Sequence, residues 1–370
     1  TDMGDGHVVT APAPALGTGA PEARSGLQPW TVAELPAPPR PRGREWIAAV
    51  GPGVIVLGVS IGSGEFLLGP ASFVKHGLTL LWVTSVATLL QTVFNLELMR
   101  YTMATGEPVC TGFMRTRPRA GFWAWTYAGL FVLQVGWPGW AGAASGAFFF
   151  LATGRVPTPA DAESVYWIGV ATFLGCVAIL LVGKKIERTL EVLNWILVST
   201  ILTCFLVLAV LFVAPATWLA ALTGFVGFDP ASRTFEFIPP GVDFFLLGAF
   251  AAFSGAGGVI NLMLSNWARD KGYGMGGTTG YIPAIVGAKK VNLAHNGSTF
   301  VRSAEGLERW RGWWRLVRVD QWGIFFVGAL LGMGLPALLY VTFLEPGQDI
   351  RGLGVAAALA NGVGARFPLM

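Results

Sequence analysis

Leu190–Val213 carries a single charged side chain, Glu191, in a run longer than the roughly 20 apolar residues that one helix needs to cross a bilayer. Four further runs resemble it: Leu78–Met99, Phe122–Ala152, Val165–Val182 and Trp322–Phe343. Hydrocarbon offers the backbone no hydrogen-bond partner, so each peptide group must be satisfied within the protein. Runs of helical length meet that demand as helices. The sequence therefore predicts an all-α polytopic membrane protein. Only 12% of the 370 residues are charged and 53% are hydrophobic, against about 25% charged in soluble domains.

Two further apolar stretches are interrupted. Trp46–Val74 contains "SIGSGEF", with Gly62, Ser63, Gly64 and the carboxylate Glu65 at its middle. Val242–Trp267 contains "SGAGGVINL", where Gly255, Gly257 and Gly258 weaken the helix ahead of Asn261. Glycine alone is compatible with close helix packing. Here, however, the breaks fall in spans 1 and 6, matching places in a five-plus-five inverted repeat, which points to a transporter's midplane site. Glu65, Gly62, Ser63, Gly257 and Asn261 are the candidate metal ligands, through carbonyls, side-chain oxygens and one charge. Glu65 also has a plainer reading: Ser63 caps the second half-helix and Glu65 sits in its first turn. At membrane depth a carboxylate is costly, which favours a functional role.

Lys and Arg orient the chain. With the amino terminus in the cytoplasm, all but five of the 25 basic residues fall inside, the exceptions being Lys75, Arg155, Arg233, Arg351 and Arg366. An inner (plasma) membrane location is expected. Residues 1–44 are rich in Pro, Ala and Gly and read as a disordered cytoplasmic tail; residues 45–370 form the transmembrane domain, with a cytoplasmic loop over 269–319. Within that loop, "RWRGWWRLVRVDQW" alternates basic and aromatic residues and reads as an interfacial helix on anionic lipid headgroups near 309–322 rather than a nucleic-acid contact. Cys110, Cys176, Cys204 and the three His residues show no metal-ligand spacing, and no nucleophile–base pair suggests an enzyme. Gln91 and Gln134 read as bonds to neighbouring helices. Glu97 and Glu191 are expected to pair with Arg100 and Arg188, and Asp243 to cap the start of span 6.

"GPGVIVLGVSIGSGEF", followed by "HGLTLLWVTSVATLLQTVFNLELMRYTMATGE", resembles the first two spans of the Nramp divalent-metal transporters. The likeness continues more weakly through span 6. It implies the LeuT-like inverted-repeat fold of the amino-acid/polyamine/organocation superfamily, with helices 1 and 6 broken, and cation uptake by alternating access. The second repeat is incomplete in this sequence, which lacks spans 8–10. The family's D-P-G-N break is replaced by Gly62-Ser63-Gly64-Glu65, so the carboxylate sits at the other end of the break. The family's methionine ligand in span 6 has no match in Gly257-Gly258-Val259-Ile260-Asn261. Oxygen donors alone suit a harder ion such as Mg²⁺ or Mn²⁺. The expectation is a secondary transporter whose substrate is a divalent cation, with no resident cofactor. The alternatives are an amine or amino-acid transporter on the same fold, and a membrane sensor or scaffold acting through the 269–319 loop.

Overall fold

Apolar runs and their glycine and proline interruptions decide where the helices of this chain begin and end. The computed structural model describes residues 26–63, 68–136, 139–181, 185–284, 294, 296–348, 350 and 355–366. A short strand, β1 (Thr31–Ala33), precedes α1 (Glu45–Ala49) and α2 (Pro52–Ser63). Pro52 enters at a helix start, where its missing N–H costs nothing. The chain resumes as α3 (Gly69–His76), then α4 (Leu81–Thr105), closed by the left-handed Gly106, and α5 (Val109–Met114). The single run expected over 122–152 is found as α6 (Ala120–Val135) and α7 (Gly139–Thr153), with Trp137 and Pro138 outside the described residues.

Next come α8 (Ala162–Leu181), α9 (Ile186–Phe212) and α10 (Pro215–Gly224), then a hairpin of β2 (Phe228–Asp229) and β3 (Thr234–Phe235). Span 6 is α11 (Phe244–Phe253) and α12 (Ile260–Lys271), separated by an unwound segment. Asp243 caps α11 as expected, accepting hydrogen bonds from the backbone N–H of Phe245 and Leu246. The remaining elements are α13 (Gly276–Thr279), β4 (Ser298–Phe300), α14 (Ala304–Arg318), α15 (Val327–Phe343) and α16 (Val355–Arg366). A π-helical turn over Val319–Phe326 joins α14 to α15, giving one helix of 40 residues.

The protein is mostly helical. Among the described residues four helices, Leu78–Thr105, Pro159–Leu181, Ile186–Phe212 and Ala304–Phe343, are long and apolar enough to cross a membrane, compatible with an all-α membrane protein. Pro52–Gly62 and Phe244–Phe253 are apolar but shorter, because glycine-rich breaks end them. On α4 the usual amphipathicity is inverted: Thr84, Thr88, Thr92 and Asn95 are fully buried, while Val86, Leu90 and Val93 are exposed. An apolar outer face and a polar inner one is what a lipid surround rewards.

Two buried clusters position the breaks. Val54, Leu57 and Ile61 of α2 share one with Ala256, Ile260 and Leu264. Phe73 of α3 and Phe250 of α11 share the other and meet edge to face, ring centroids 5.4 Å apart. The first half of span 1 therefore packs on the second half of span 6, and the reverse.

Residues 1–25 of the tail lie outside the described residues, and the remainder departs from the disorder expected of it. From Gly26 to Arg44 it is a strap laid over the ends of the helices. β1 pairs in parallel with β4, in the register Thr31↔Ser298, Val32↔Thr299 and Ala33↔Phe300. Leu35 is 1% exposed, its carbonyl accepts from Arg309, and the Pro36 carbonyl accepts from Trp313 Nε1 at 2.8 Å. Pro-rich composition suggested disorder, but proline also pre-sets an extended chain at little further entropic cost. The 269–319 loop is likewise structured in part, through α13, β4 and α14. On α14 Trp313 is buried and the half-buried Trp310 stacks on Phe300, so these two rings pack against the protein. Arg311, Arg315, Arg318 and Val319 are the exposed residues of that stretch.

Candidate functional site

Between α11 and α12 the backbone leaves the helix for six residues, Ser254–Val259. Gly255, Gly257 and Gly258 all hold positive φ, at +92°, +71° and +58°. Side-chain-bearing residues adopt this region only with strain. At Gly255 and Gly258 space forbids a side chain as well, since an added Cβ would overlap the amides of Gln91 and Gln134 respectively.

Those two amides hold the break open. Gln91 donates to the Ser254 carbonyl and accepts from the Gly257 N–H at 3.1 Å. Gln134 donates to the Gly257 carbonyl at 2.9 Å and accepts from the Val259 N–H at 2.7 Å. Each primary amide thus replaces one donor and one acceptor that a continuous helix would have paired internally, which is what unwound backbone at this depth demands. Gln91 and Gln134 do bond to a neighbouring helix, but to its broken backbone.

Asn261, in the first turn of α12, is 1% exposed. Its Nδ2 donates to Asn95 Oδ1 at 2.8 Å and lies 3.4 Å from Gln91 Oε1. Among the described residues, Asn261 Oδ1, Asn95 Nδ2, Thr84 Oγ1, Thr88 Oγ1 and Ser254 Oγ are buried with no hydrogen-bond partner. A buried polar atom left unpaired costs about 1–3 kcal/mol. Five of them on the break and the facing stripe of α4 mark a place that is not built for stability alone. The C-terminal end of α11 and the N-terminal end of α12 bring opposite partial charges to the same break.

Of the sequence-predicted residues, Gly257 and Asn261 lie in this arrangement. Gly62 is the penultimate residue of α2, one after Ile61, which shares the buried cluster with Ala256 and Ile260. No described atom lies within 4 Å of where a Gly62 Cβ would be. Ser63 closes α2. Glu65 falls outside the described residues, and so does its role. Among the described residues no group of three or more His, Cys, Asp or Glu is placed to hold a metal ion.

A second polar cluster lies at the start of α2. Asp320, on the π-helical turn and fully buried, accepts from the Gly51 N–H at 2.9 Å and the Gly53 N–H at 2.8 Å. It therefore meets the positive end of the α2 dipole. Beside it, Lys271 at the end of α12 pairs with Glu191 and lies 3.9 Å from Glu187, both on α9. Arg188 pairs with Glu191 at 2.6 Å and Arg100 with Glu97, as the sequence suggested. Lys185, Glu187, Arg188, Glu191, Lys271 and Tyr273 border a cavity of about 990 Å³.

Sequence reasoning passed over the α4 stripe and Asp320. The signal for the first was present, since Thr84, Thr88, Thr92 and Asn95 recur at spacings of four, four and three within an apolar run. Asp320 stood just ahead of the span expected to start at Trp322 and was absorbed into the basic loop. No protein-family model and no curated protein matches the chain.

Proposed function

We propose that this protein is a secondary transporter that carries a divalent cation across the bilayer by alternating access, on a LeuT-like inverted-repeat scaffold. The observation that carries this reading is the unwound Ser254–Val259 segment, whose backbone is clamped by two amides from spans 2 and 3. A helix is broken and then stabilised in its broken form only where the exposed ends have a use. The substrate site lies between this break and the end of α2 at Gly62. The α11 carbonyl end and Asn261 Oδ1 supply neutral oxygens, and Glu65 supplies the charge. An all-oxygen donor set suits Mg²⁺ or Mn²⁺ as substrate.

In this reading the amino terminus is cytoplasmic and the membrane is the plasma (inner) membrane. The ion pairs from Lys271 to α9 then close the cytoplasmic end of the pathway, because they tie the second half of span 6 to span 5 beside the first turn of α2. Rocking of α2 and α12 away from α9 would break them and open the 990 Å³ cavity toward the site.

The test is flux. Protein reconstituted in liposomes should take up Mg²⁺ or Mn²⁺, and Glu65→Gln should abolish uptake while leaving the protein folded. Undiminished flux in that variant removes Glu65 from the site.

One observation favours a second reading, an amine or amino-acid substrate. Gln91, Asn95, Gln134 and Asn261 form a neutral array offering both donors and acceptors, as an organic solute requires. Thermal stabilisation of the purified protein by amines or amino acids, and not by Mg²⁺ or Mn²⁺, would select it.

A further inference from the structure

The strap and α14 enclose a groove of about 750 Å³ that the transport reading leaves unused. Its walls are residues 37–42 on one side and the outer face of α14 on the other, with Trp46 between them. Five arginines and two glutamates border it: Arg40, Arg42, Arg309, Arg311 and Arg315 against Glu305 and Glu308. The glutamates are already engaged. Glu305 pairs with Arg309 at 2.6 Å, and Glu308 lies 3.7 Å from Arg40. Arg309 is further held by Glu34 and the Leu35 carbonyl. Among the described residues the guanidiniums of Arg42, Arg311 and Arg315 form no ion pair, although the Arg42 backbone N–H donates to the Glu45 carboxylate at 2.8 Å, and all three arginines are exposed. Arg311 and Arg315 are four residues apart on α14 and so project from one face.

The depth of the groove follows from the helix that carries it. Ala304–Phe343 has 40 residues and so measures about 60 Å, about twice the hydrocarbon thickness of roughly 30 Å. The apolar half begins near Trp322. Arg315 and Arg318 then stand within about two turns of the hydrocarbon boundary, at the level of the phosphates, and Arg311 one turn further out. The guanidiniums of Arg42, Arg311 and Arg315 all border this one groove, and guanidiniums match a phosphate's oxygens in charge and in hydrogen-bond geometry.

We propose that this groove binds the phosphate headgroup of an anionic phospholipid of the cytoplasmic leaflet, with Arg42 of the strap and Arg311 and Arg315 of α14 as its ligands. The leaflet assignment rests on the cytoplasmic amino terminus of the transport reading; the groove and its ligands do not. Because one wall is the strap, a bound headgroup ties residues 37–42 to α14 and stabilises the docked strap. Trp313 fits this arrangement: buried and bonded to the Pro36 carbonyl, it fixes the strap to α14 and leaves Arg311 and Arg315 on the outer face.

The test uses the full chain in neutral detergent micelles, titrated with short-chain phosphatidylglycerol or phosphatidylcholine and followed by native mass spectrometry and thermal unfolding. Phosphatidylglycerol should bind and raise the melting temperature, phosphatidylcholine should not, and binding should weaken as salt rises. Arg311→Gln with Arg315→Gln should weaken phosphatidylglycerol binding at least tenfold, and Arg42→Gln should do so severalfold. Equal binding of both lipids, salt-insensitive binding by the wild type, or unchanged affinity in the double variant would overturn the proposal. Competition by millimolar inorganic phosphate would replace the lipid by a soluble phosphate and overturn it as well. Asn261→Ala should leave lipid binding intact, so failure of the transport site and failure of this groove can be told apart. The salt dependence of the wild type keeps the test valid even if a variant folds poorly.

Discussion

Two buried polar clusters in this protein handle the same problem in opposite ways. Glu107, 3% exposed, sits where the strap meets the end of α4. It accepts hydrogen bonds from Trp30 Nε1 (3.0 Å), the Tyr101 hydroxyl (2.9 Å), the Gly297 N–H (2.9 Å) and Arg115 Nε (2.8 Å), with a second bond from the Arg115 guanidinium. Burial pushes this carboxyl's pKa up, but the donors, Arg115 foremost, outweigh burial and hold it below the ordinary value. The break at Ser254–Val259 is different. Its backbone is satisfied, yet polar atoms of Asn261, Asn95, Thr88 and Ser254 are not. A cluster that is saturated with partners fixes a shape; one that keeps buried valences open is prepared to exchange partners. That difference separates the scaffold from the site.

The comparison can be broken most forcefully at Glu107. Glu107→Ala leaves Arg115 and Trp30 without their acceptor and should cost about 3–5 kcal/mol, the range for breaking a buried ion pair from one side. Thermal unfolding, together with protease cleavage newly exposed within residues 26–44, would report it. Flux in surviving protein should change less than stability does.

Gly258→Ala should do the reverse. The added Cβ forces a left-handed alanine, at about 1–2 kcal/mol, and displaces Gln134. Folding should persist while transport falls at least tenfold in liposomes. Equal losses in both properties would erase the distinction between the clusters.

Gln91→Leu is smaller in stability, at about 0.6–1.7 kcal/mol as measured for polar contacts within membranes. It should still lower flux, because the Ser254 carbonyl and Gly257 N–H lose their partner. At the small end, Trp313→Phe removes one hydrogen bond to the Pro36 carbonyl and should cost about 0.5–1.5 kcal/mol in melting experiments.

The pH dependence of the strap sharpens the same contrast. Glu107's pKa is lowered on folding, so its contribution is complete above the unfolded value of 4.5 and is lost as pH falls through the folded value. Strap protection from proteolysis should stay flat from neutral pH down to about 4.5 and then decline.

Particular residues show what the sequence made legible. Ile186–Phe212 and Leu81–Thr105 could be read from apolar length, because lipid imposes helix on such runs. The break at 254–259 could be read from its glycines, because positive φ needs them. Gln91 and Gln134 were visible but misweighed: a glutamine in a span reads as a helix contact, and only three dimensions show that its partner is a broken backbone. The strap was missed because Trp30, Leu35 and Pro36 find their partners more than 70 positions away, at Glu107, Arg309 and Trp313. Glu65, the residue that raised the question of a cation, lies outside the described residues and awaits the flux experiment.

The π-helical turn at Val319–Phe326 has a mechanical consequence. Asp320 grips the first residues of α2 from a helix that also carries, three turns earlier, the anchors of the strap. The strap, α14 and the leading half of span 1 are thus linked in series. In the proposed transport cycle, tilting α2 to open a pathway would load the strap as a rope is loaded by a lever, and a strap held down at the membrane surface would resist that tilt. The stiffness of a short proline-rich segment would then enter the height of a transport barrier far from any substrate.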